Sequence, residues 1–411
     1  MNTDIVIIGA GPAGCAASIF LSKQKIPHII IDKSSFPRDK ICGDALSGKS
    51  VSVLHKIDPS FANQLINNNT ISLPSWGCSF IAPNGMRIDI PFKKQIENTA
   101  PPGFLSKRID FDYMLFNQLN PNYATIMQHA NVHNLTKKEN GYIVDYTQDN
   151  TAKQLHASLI IGADGAQGIT SKKTVSIKKD PTNFSAGLRA YYSNVTGFHS
   201  NNFIELHFLP EVLPGYLWIF PLANNQANVG VGMLNKYVSA KKINLKTALL
   251  NAIANNPHIK DRFANATMIS PLQGWGLPLG RKKSPLSGDN FILAGDAGSL
   301  IDPFTGEGIG NALYSGMIAA QYAQLAIKEQ DFSATFLKQY DAHFYKHQWD
   351  ELKLSSMLLK LSKYAWLMNF VIKKAAKNNT LQEAITCMFE DLNMRAKLTN
   401  PLFYFKILFN K

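Results

Sequence analysis

Three glycines near the start of the chain have the type and spacing to hold a diphosphate. In Gly9-Ala10-Gly11-Pro12-Ala13-Gly14 the first glycine suits a tight turn, the second lets backbone approach a pyrophosphate, and the third lets a helix pack on a strand. A helix N-terminus at this point offers N–H groups and partial positive charge to the phosphates. Asp32, 18 residues beyond Gly14 and followed by Lys33, is placed to accept from ribose hydroxyls. Two further acids stand beside glycines, in Asp164-Gly165 and Gly295-Asp296, where a carboxylate can reach a ribityl or ribose hydroxyl. Thr305-Gly306-Glu307-Gly308-Ile309-Gly310 then opens a helix whose N–H groups suit the negative charge on N1/O2 of a reduced flavin. The two ends together would grip one extended dinucleotide, and FAD is the expected cofactor.

These residues need particular elements to position them. Residues 4–8 form a short β-branched run, the pattern of a strand covered on both faces. The small-residue stretch 15–21 reads as the helix, and His28-Ile29-Ile30-Ile31 as a second buried strand ending at Asp32. Residues 159–162 and 291–293 read as further buried strands. Strand, glycines, helix, strand and acid in that order make the signature specific, where a lone glycine triplet is weak.

In this setting the chain resembles the para-hydroxybenzoate-hydroxylase-type flavoprotein superfamily, through its N-terminal glycine motif, Asp164-Gly165 and Gly295-Asp296-Ala297. Within it, four segments are similar to motifs of the geranylgeranyl reductase family. They are Phe36 to Asp44 around Lys40-Ile41-Cys42-Gly43, Arg108-Ile109-Asp110-Phe111-Asp112, Tyr216-Leu217-Trp218-Ile219-Phe220-Pro221, and Asp302-Pro303-Phe304-Thr305-Gly306-Glu307-Gly308-Ile309. The resemblance covers roughly residues 1–330. It implies that Cys42 and Gly43 lie against the flavin, that Arg108 and Asp296 contact FAD, and that Gly308 and Ile309 cover the isoalloxazine edge. It also implies an adenine-side backbone contact at Val132. The chain departs from the pattern at Asp32, where the wider superfamily usually has Glu, and at Ala45, often glycine.

The implied fold is α/β: a Rossmann-like FAD-binding domain with an inserted antiparallel β-sheet substrate domain and C-terminal helices. The FAD-binding part is expected over 1–70, 103–170 and 270–330, the substrate sheet over 71–102 and 171–269, and a helical region over 331–411. Residues 79–90 read as a hairpin with an Asn84-Gly85 turn.

A flavin can reduce an alkene, hydroxylate, or support halogenation, and the pocket selects among these. Strand alternation puts Tyr216, Trp218 and Phe220 on one face, either as sheet core or as an apolar slot for a long isoprenoid chain. Pro303 is expected in the same pocket. The leading expectation is a reductase of prenyl carbon–carbon double bonds, in which Cys42, a water or Tyr216 supplies the proton. Cys42 could equally be a small hydrophobe packed on the ring. The second expectation is a flavin monooxygenase or halogenase. Halogenases carry WxWxIP at a similar place, and this chain departs from it at Tyr216 and Phe220. One dinucleotide fingerprint means that NAD(P)H would visit transiently, or that another reduced carrier delivers electrons.

Composition bounds the alternatives. The 411 residues are 45% hydrophobic and 17% charged, which excludes disorder, collagen-like repeats and coiled coil. Cys15, Cys42, Cys78 and Cys387 form no CxxC pair, which argues against a zinc knuckle and fits a reducing compartment. His343 and His347 have i, i+4 spacing but no evident third ligand, so no metal is expected. No signal peptide is read at the N-terminus. The formal net charge of +13 suits an anionic partner or is a basic background, and no nucleic-acid module accompanies it. A cytoplasmic protein acting on a small molecule or lipid is expected. The Lys-rich C-terminal segment around Tyr364 to Ile372 is either a cap on the FAD-binding domain or a helix lying on a membrane surface. Nothing in these residues indicates an oligomeric state.

Overall fold

The buried run at the N-terminus becomes the middle of a sheet. In the computed structural model, which describes residues 2–92, 101–175 and 180–386, the strand Asn2–Ile8 pairs in parallel with His28–Ile31 on one side and Thr151–Gly162 on the other. Ala124–Met127 and Phe291–Leu293 extend the parallel run on either edge. Ile5, Val6, Ile7 and Ile8 are all buried, as a strand covered on both faces requires. An antiparallel meander, Ala130–Lys138 and Gly141–Gln148, hangs from the outer half of Thr151–Gly162.

Helix Pro12–Lys23 connects the first two parallel strands, and the long helix Ile309–Glu329 lies across it. Their backbones touch: a Cβ on Gly316 would stand 2.1 Å from the Ala13 carbonyl oxygen. The strand–helix contact is equally close, because a Cβ on Gly14 would stand 1.8 Å from the Gly9 oxygen. A side chain at Gly316 would push the two helices apart, and one at Gly14 would push the helix away from the glycine turn and its strand.

The second large sheet is antiparallel apart from one parallel pair, Gly77–Ile81 with Ile204–His207. Its other main strands are Phe184–Ser193, Gly215–Leu222, Gln226–Leu234 and Gln273–Pro278. The expected hairpin forms from Gly77–Ile81 and Arg87–Pro91, with Gly85 at φ +87 in the turn. Alternation divides the strand Gly215–Leu222. Leu217 and Ile219 join Val229, Val231 and Leu249 in one core, while Trp218 and Phe220 join Phe80, Leu206 and Phe208 in another. Ala45–Leu46, Gly103–Ser106 and Ser72–Ser75 form a separate small sheet that pairs with neither large one among the described residues. The α/β architecture with an inserted antiparallel sheet is therefore the one expected from the sequence.

Three helices follow: Ala334–Leu361, Ala365–Ala375 and Asn379–Thr386. The Ser333 hydroxyl caps the first of them by accepting from the Phe336 N–H at 3.2 Å. His343 Nδ1 lies 3.2 Å from the Tyr322 hydroxyl, and His347 Nδ1 lies 2.9 Å from the His343 carbonyl. The helical region expected over 331–411 is described as far as 386, and Cys387 lies outside the described residues. Among the described residues no helix is long and apolar enough to cross a membrane.

Candidate active site

A cavity of ≈ 720 Å³ lies between the glycine loop and the aromatic face of the second sheet, within the range that holds a small molecule or cofactor. Gly9 turns with φ +99, where a side chain is disfavoured, and a Cβ there would also meet the Ala163 oxygen at 2.5 Å. Gly11 differs. A Cβ at Gly11 would find only Arg38 Nη2, at 3.5 Å, so its cavity side is open to a ligand. Pro12 starts the helix there, in keeping with proline at the first helical position.

Around that loop Ala13, Asp32, Lys33, Val132, Asp164, Gly295 and Asp296 line the same cavity. The Asp32 carboxylate accepts from Ala10 N–H at 2.7 Å and Ser34 N–H at 2.8 Å, one bond to each oxygen. Each oxygen keeps a second lone pair for a ribose hydroxyl. Asp164 accepts from the Thr170 N–H at 2.9 Å, and burial holds its carboxyl above the usual range. Asp296 pairs with Lys40 at 3.2 Å, joining the Cys42 loop to the strand end. The open cradle, the free face of Gly11 and the ring of acids fit a dinucleotide such as FAD.

The sequence-derived reading needs two corrections. Pro303 is buried and does not line the cavity; its neighbours Ile301 and Thr305 do. Pro303 belongs to a turn tied by Asp302, which accepts from Phe304 N–H at 3.0 Å and from the Thr305 N–H and hydroxyl at 2.8 and 2.9 Å. The helix at Ile309 is also not fully open at its N-terminus. Glu307 Oε1 accepts the Gly310 N–H at 2.6 Å, leaving the cavity-lining Gly308 and Ile309, with Gly306 before them, to face a ligand. Gly14 stays behind the cavity wall, where its close approach to Gly9 gives it a packing role.

Opposite the glycine loop, Tyr216, Trp218 and Phe220 form a continuous wall. Tyr216 and Trp218 have ring centroids 6.2 Å apart at 68°, and Trp218 and Phe220 6.3 Å apart at 37°. The indole lies on strands that supply no side chain beneath it: a Cβ on Gly230 would stand 2.2 Å from Trp218 Cζ2. Trp218 Nε1–H donates to Asn228 Oδ1 at 2.8 Å, which satisfies the buried donor. The Tyr216 hydroxyl donates to the Thr305 carbonyl, and burial pushes its pKa further up. Gly43 sits against this wall, its Cβ position 3.3 Å from Phe220.

Beneath Cys42 lies a polar web that the sequence reading did not identify. The Asn228 amide donates to the Cys42 carbonyl at 2.7 Å and to Asp44 Oδ2 at 2.8 Å. Asp44 is fully buried at φ +67, and burial pushes its carboxyl up to about 6 against the opposing pull of Asn228, Tyr191, Arg189 and Arg108. Burial alone would lower Arg108, but Asp112, held through Nε and one terminal guanidinium nitrogen at 2.7 Å each, keeps it above its ordinary value. Arg189 is buried too, paired with Asp39 at 2.7 Å and stacked on Tyr191 at 4.2 Å. The available signal was Asn228 itself, a lone polar residue in the apolar run Ala227 to Val231.

Comparison with known proteins agrees with this geometry. The family described as FAD binding domain matches residues 2–350. Digeranylgeranylglycerophospholipid reductase 3 of Methanosphaera stadtmanae is 31% identical over 350 residues, covering 84% of this chain and 83% of that protein. A solved geranylgeranyl bacteriochlorophyll reductase-like protein from Thermoplasma acidophilum superposes with TM-score 0.80 at 21% identity, over 97% of this chain and 99% of the other. A flavin-dependent brominase superposes with TM-score 0.78 at 20% identity, over 99% of both chains. The last two likenesses concern the fold.

Proposed function

This chain belongs to the geranylgeranyl reductase family of FAD-dependent oxidoreductases, and from that premise we propose that it reduces carbon–carbon double bonds in the prenyl chain of a lipid. The observation that carries the substrate class is the wall of Tyr216, Trp218 and Phe220, which gives the cavity one long apolar side facing the Cys42 loop. Large flat rings bury an extended hydrocarbon without demanding polar contacts from it.

When bound, FAD would supply one hydride per double bond after reduction by NAD(P)H or another reduced carrier. The protein must hold the alkene against the aromatic wall and deliver one proton to its other carbon. Cys42 lines the same cavity as Arg108 and the aromatic wall, and it is the donor in this reading. Tyr216 is less suited, because its hydroxyl hydrogen is committed to the Thr305 carbonyl. Asn228 fixes the backbone of the Cys42 loop, so that the thiol is presented by a rigid turn. Gly9, Gly11, Gly308 and Ile309 would hold the dinucleotide, with the carboxylates of Asp32, Asp164 and Asp296 available to its ribose or ribityl hydroxyls. A lipid substrate calls for peripheral contact with a membrane, and among the described residues no helix is long and apolar enough to cross one.

Incubation of the FAD-loaded, reduced enzyme with a geranylgeranyl lipid under nitrogen tests this reading. The lipid should gain two hydrogens per double bond as the flavin reoxidises. An unchanged lipid across a panel of prenyl chain lengths would refute it. Oxygen consumption with a hydroxylated or halogenated product would move the chain to the chemistry of the brominase that shares its fold.

A further inference from the structure

The turn between the last two long helices carries a surface that the active site does not use. Among the described residues the large hydrophobic side chains that stand exposed are Tyr113, Leu250, Met268, Ile269, Met357, Leu361, Tyr364 and Trp366. Four of these eight fall within ten residues, and Trp366, 68% exposed, is the most open of all. Met357 and Leu361 are spaced i, i+4 on helix Ala334–Leu361 and so share one face. Trp366 begins the outer face of helix Ala365–Ala375.

The inner face of that helix does something different. Ala365, Met368, Ile372 and Ala375, at spacings of three and four, pack into the cluster that contains Phe92, Leu206, Trp218 and Phe220. Those four residues also line the cavity. One continuous apolar body thus runs from the aromatic wall to the underside of a helix whose outer side is an exposed tryptophan.

Charge selects what this surface meets. Lys353, Lys360, Lys363, Lys373, Lys374 and Lys377 lie between residues 352 and 378, and that stretch holds no Asp or Glu. All but the half-buried Lys374 are exposed. The Lys363 ammonium stands 4.6 Å from the Tyr364 ring centroid and that of Lys374 5.9 Å from that of Phe370, so aromatic rings and positive charges are interleaved on this surface. Tryptophan and tyrosine amid lysines, over exposed aliphatic side chains, match the boundary between lipid headgroups and acyl chains. Nucleic acid would use the lysines but leaves Met357, Leu361 and Trp366 without a role. No described helix can span a bilayer, so the contact lies along its surface.

We infer that the surface from Met357 to Lys377 docks on the anionic face of a phospholipid bilayer, with Trp366 inserted among the headgroups. Why docking should occur beside the cavity rests on the prenyl-lipid reading above. The docking itself does not.

The test is flotation of the full-length, FAD-loaded protein with phosphatidylcholine vesicles, with and without one third phosphatidylglycerol, and with no prenyl lipid present. Wild type should float with the anionic vesicles and be released by high salt. Lys360→Glu/Lys363→Glu/Lys373→Glu should weaken partitioning more than about tenfold, given the contribution of each surface lysine. Trp366→Ala should weaken it several-fold at unchanged charge. Lys153→Glu/Lys246→Glu/Lys260→Glu, with the same change in net charge on other elements, should float like wild type. Equal loss in both triple variants, or no flotation of wild type, would overturn the inference. So would sedimentation showing that Trp366→Ala turns a dimer into a monomer, since the surface would then belong to a second copy. Because the vesicles contain no substrate, failure of the prenyl-reductase reading would leave this result intact.

Discussion

The Asn228 side-chain amide holds the carboxylate of Asp44 at 2.8 Å, in a place where both residues are fully buried. The same amide nitrogen holds the Cys42 carbonyl, and the amide oxygen takes the Trp218 N–H. One side chain thus ties the cysteine loop, the aromatic wall and a buried acid into a single unit. Asn228→Leu is expected to leave three groups without their partner and to cost about 3 kcal/mol or more, at 1–3 kcal/mol for each buried group unpaired. Chemical denaturation measures the loss. Flavin affinity should fall with it, because the loop that carries Gly43 is released.

Asp44 gives stability a pH signature. Its folded-state value of about 6 lies above the ordinary 3.8, so the folded protein keeps this proton after the unfolded chain has released it. Stability should therefore decline as pH rises from about 4 to about 6 and level off above, by a total of about 3 kcal/mol from this group. Asp44→Asn should flatten that decline and leave stability below pH 4 close to wild type. A variant whose pH profile overlays that of wild type would show that the buried acid carries no such cost.

Two glycines of one motif should fail in different ways. Gly14→Ala puts a Cβ against the Gly9 backbone and should destabilise the fold by more than about 3 kcal/mol, since neither strand nor helix can yield. Gly11→Glu has open space for its stem and should fold, yet give colourless protein because a carboxylate stands where the diphosphate belongs. Melting temperature and the absorbance ratio of flavin to protein separate the two outcomes.

Cys42→Ser tests the proton donor. Loss of a positioned general acid is expected to lower turnover about a hundredfold while flavin content stays at wild-type level. Cys42→Ala retaining most of the turnover would assign the thiol to packing alone.

Much of the cofactor end was legible in the sequence because it is local. The glycine motif, its strand and its helix lie within 25 residues, and each step is fixed by backbone sterics rather than by distant partners. The aromatic wall was legible for the same reason, since alternation along one strand puts Tyr216, Trp218 and Phe220 together. Asp44 and Asn228 were not, because 184 residues separate them and no periodicity relates a loop to a remote strand. Lys49 is a similar case: it is fully buried, and its ammonium reaches Asn311 at 2.5 Å and Gln348 at 2.6 Å, on two helices more than 250 residues further along the chain. Pro303 was misplaced because the motif containing it turns its neighbours to the cavity and the proline itself inward. Glu307 reads in sequence as one more motif residue, and only the folded turn shows that it takes a helix N–H for itself.

The most direct test of the central claim is rapid mixing of the photoreduced, FAD-loaded enzyme with an allylic prenyl lipid in the absence of oxygen, followed through the flavin spectrum. The account predicts that the lipid reoxidises the flavin anaerobically and is recovered with its double bonds reduced. Flavin that stays reduced with every prenyl lipid, yet reoxidises in air with a hydroxylated or halogenated aromatic as product, would contradict it.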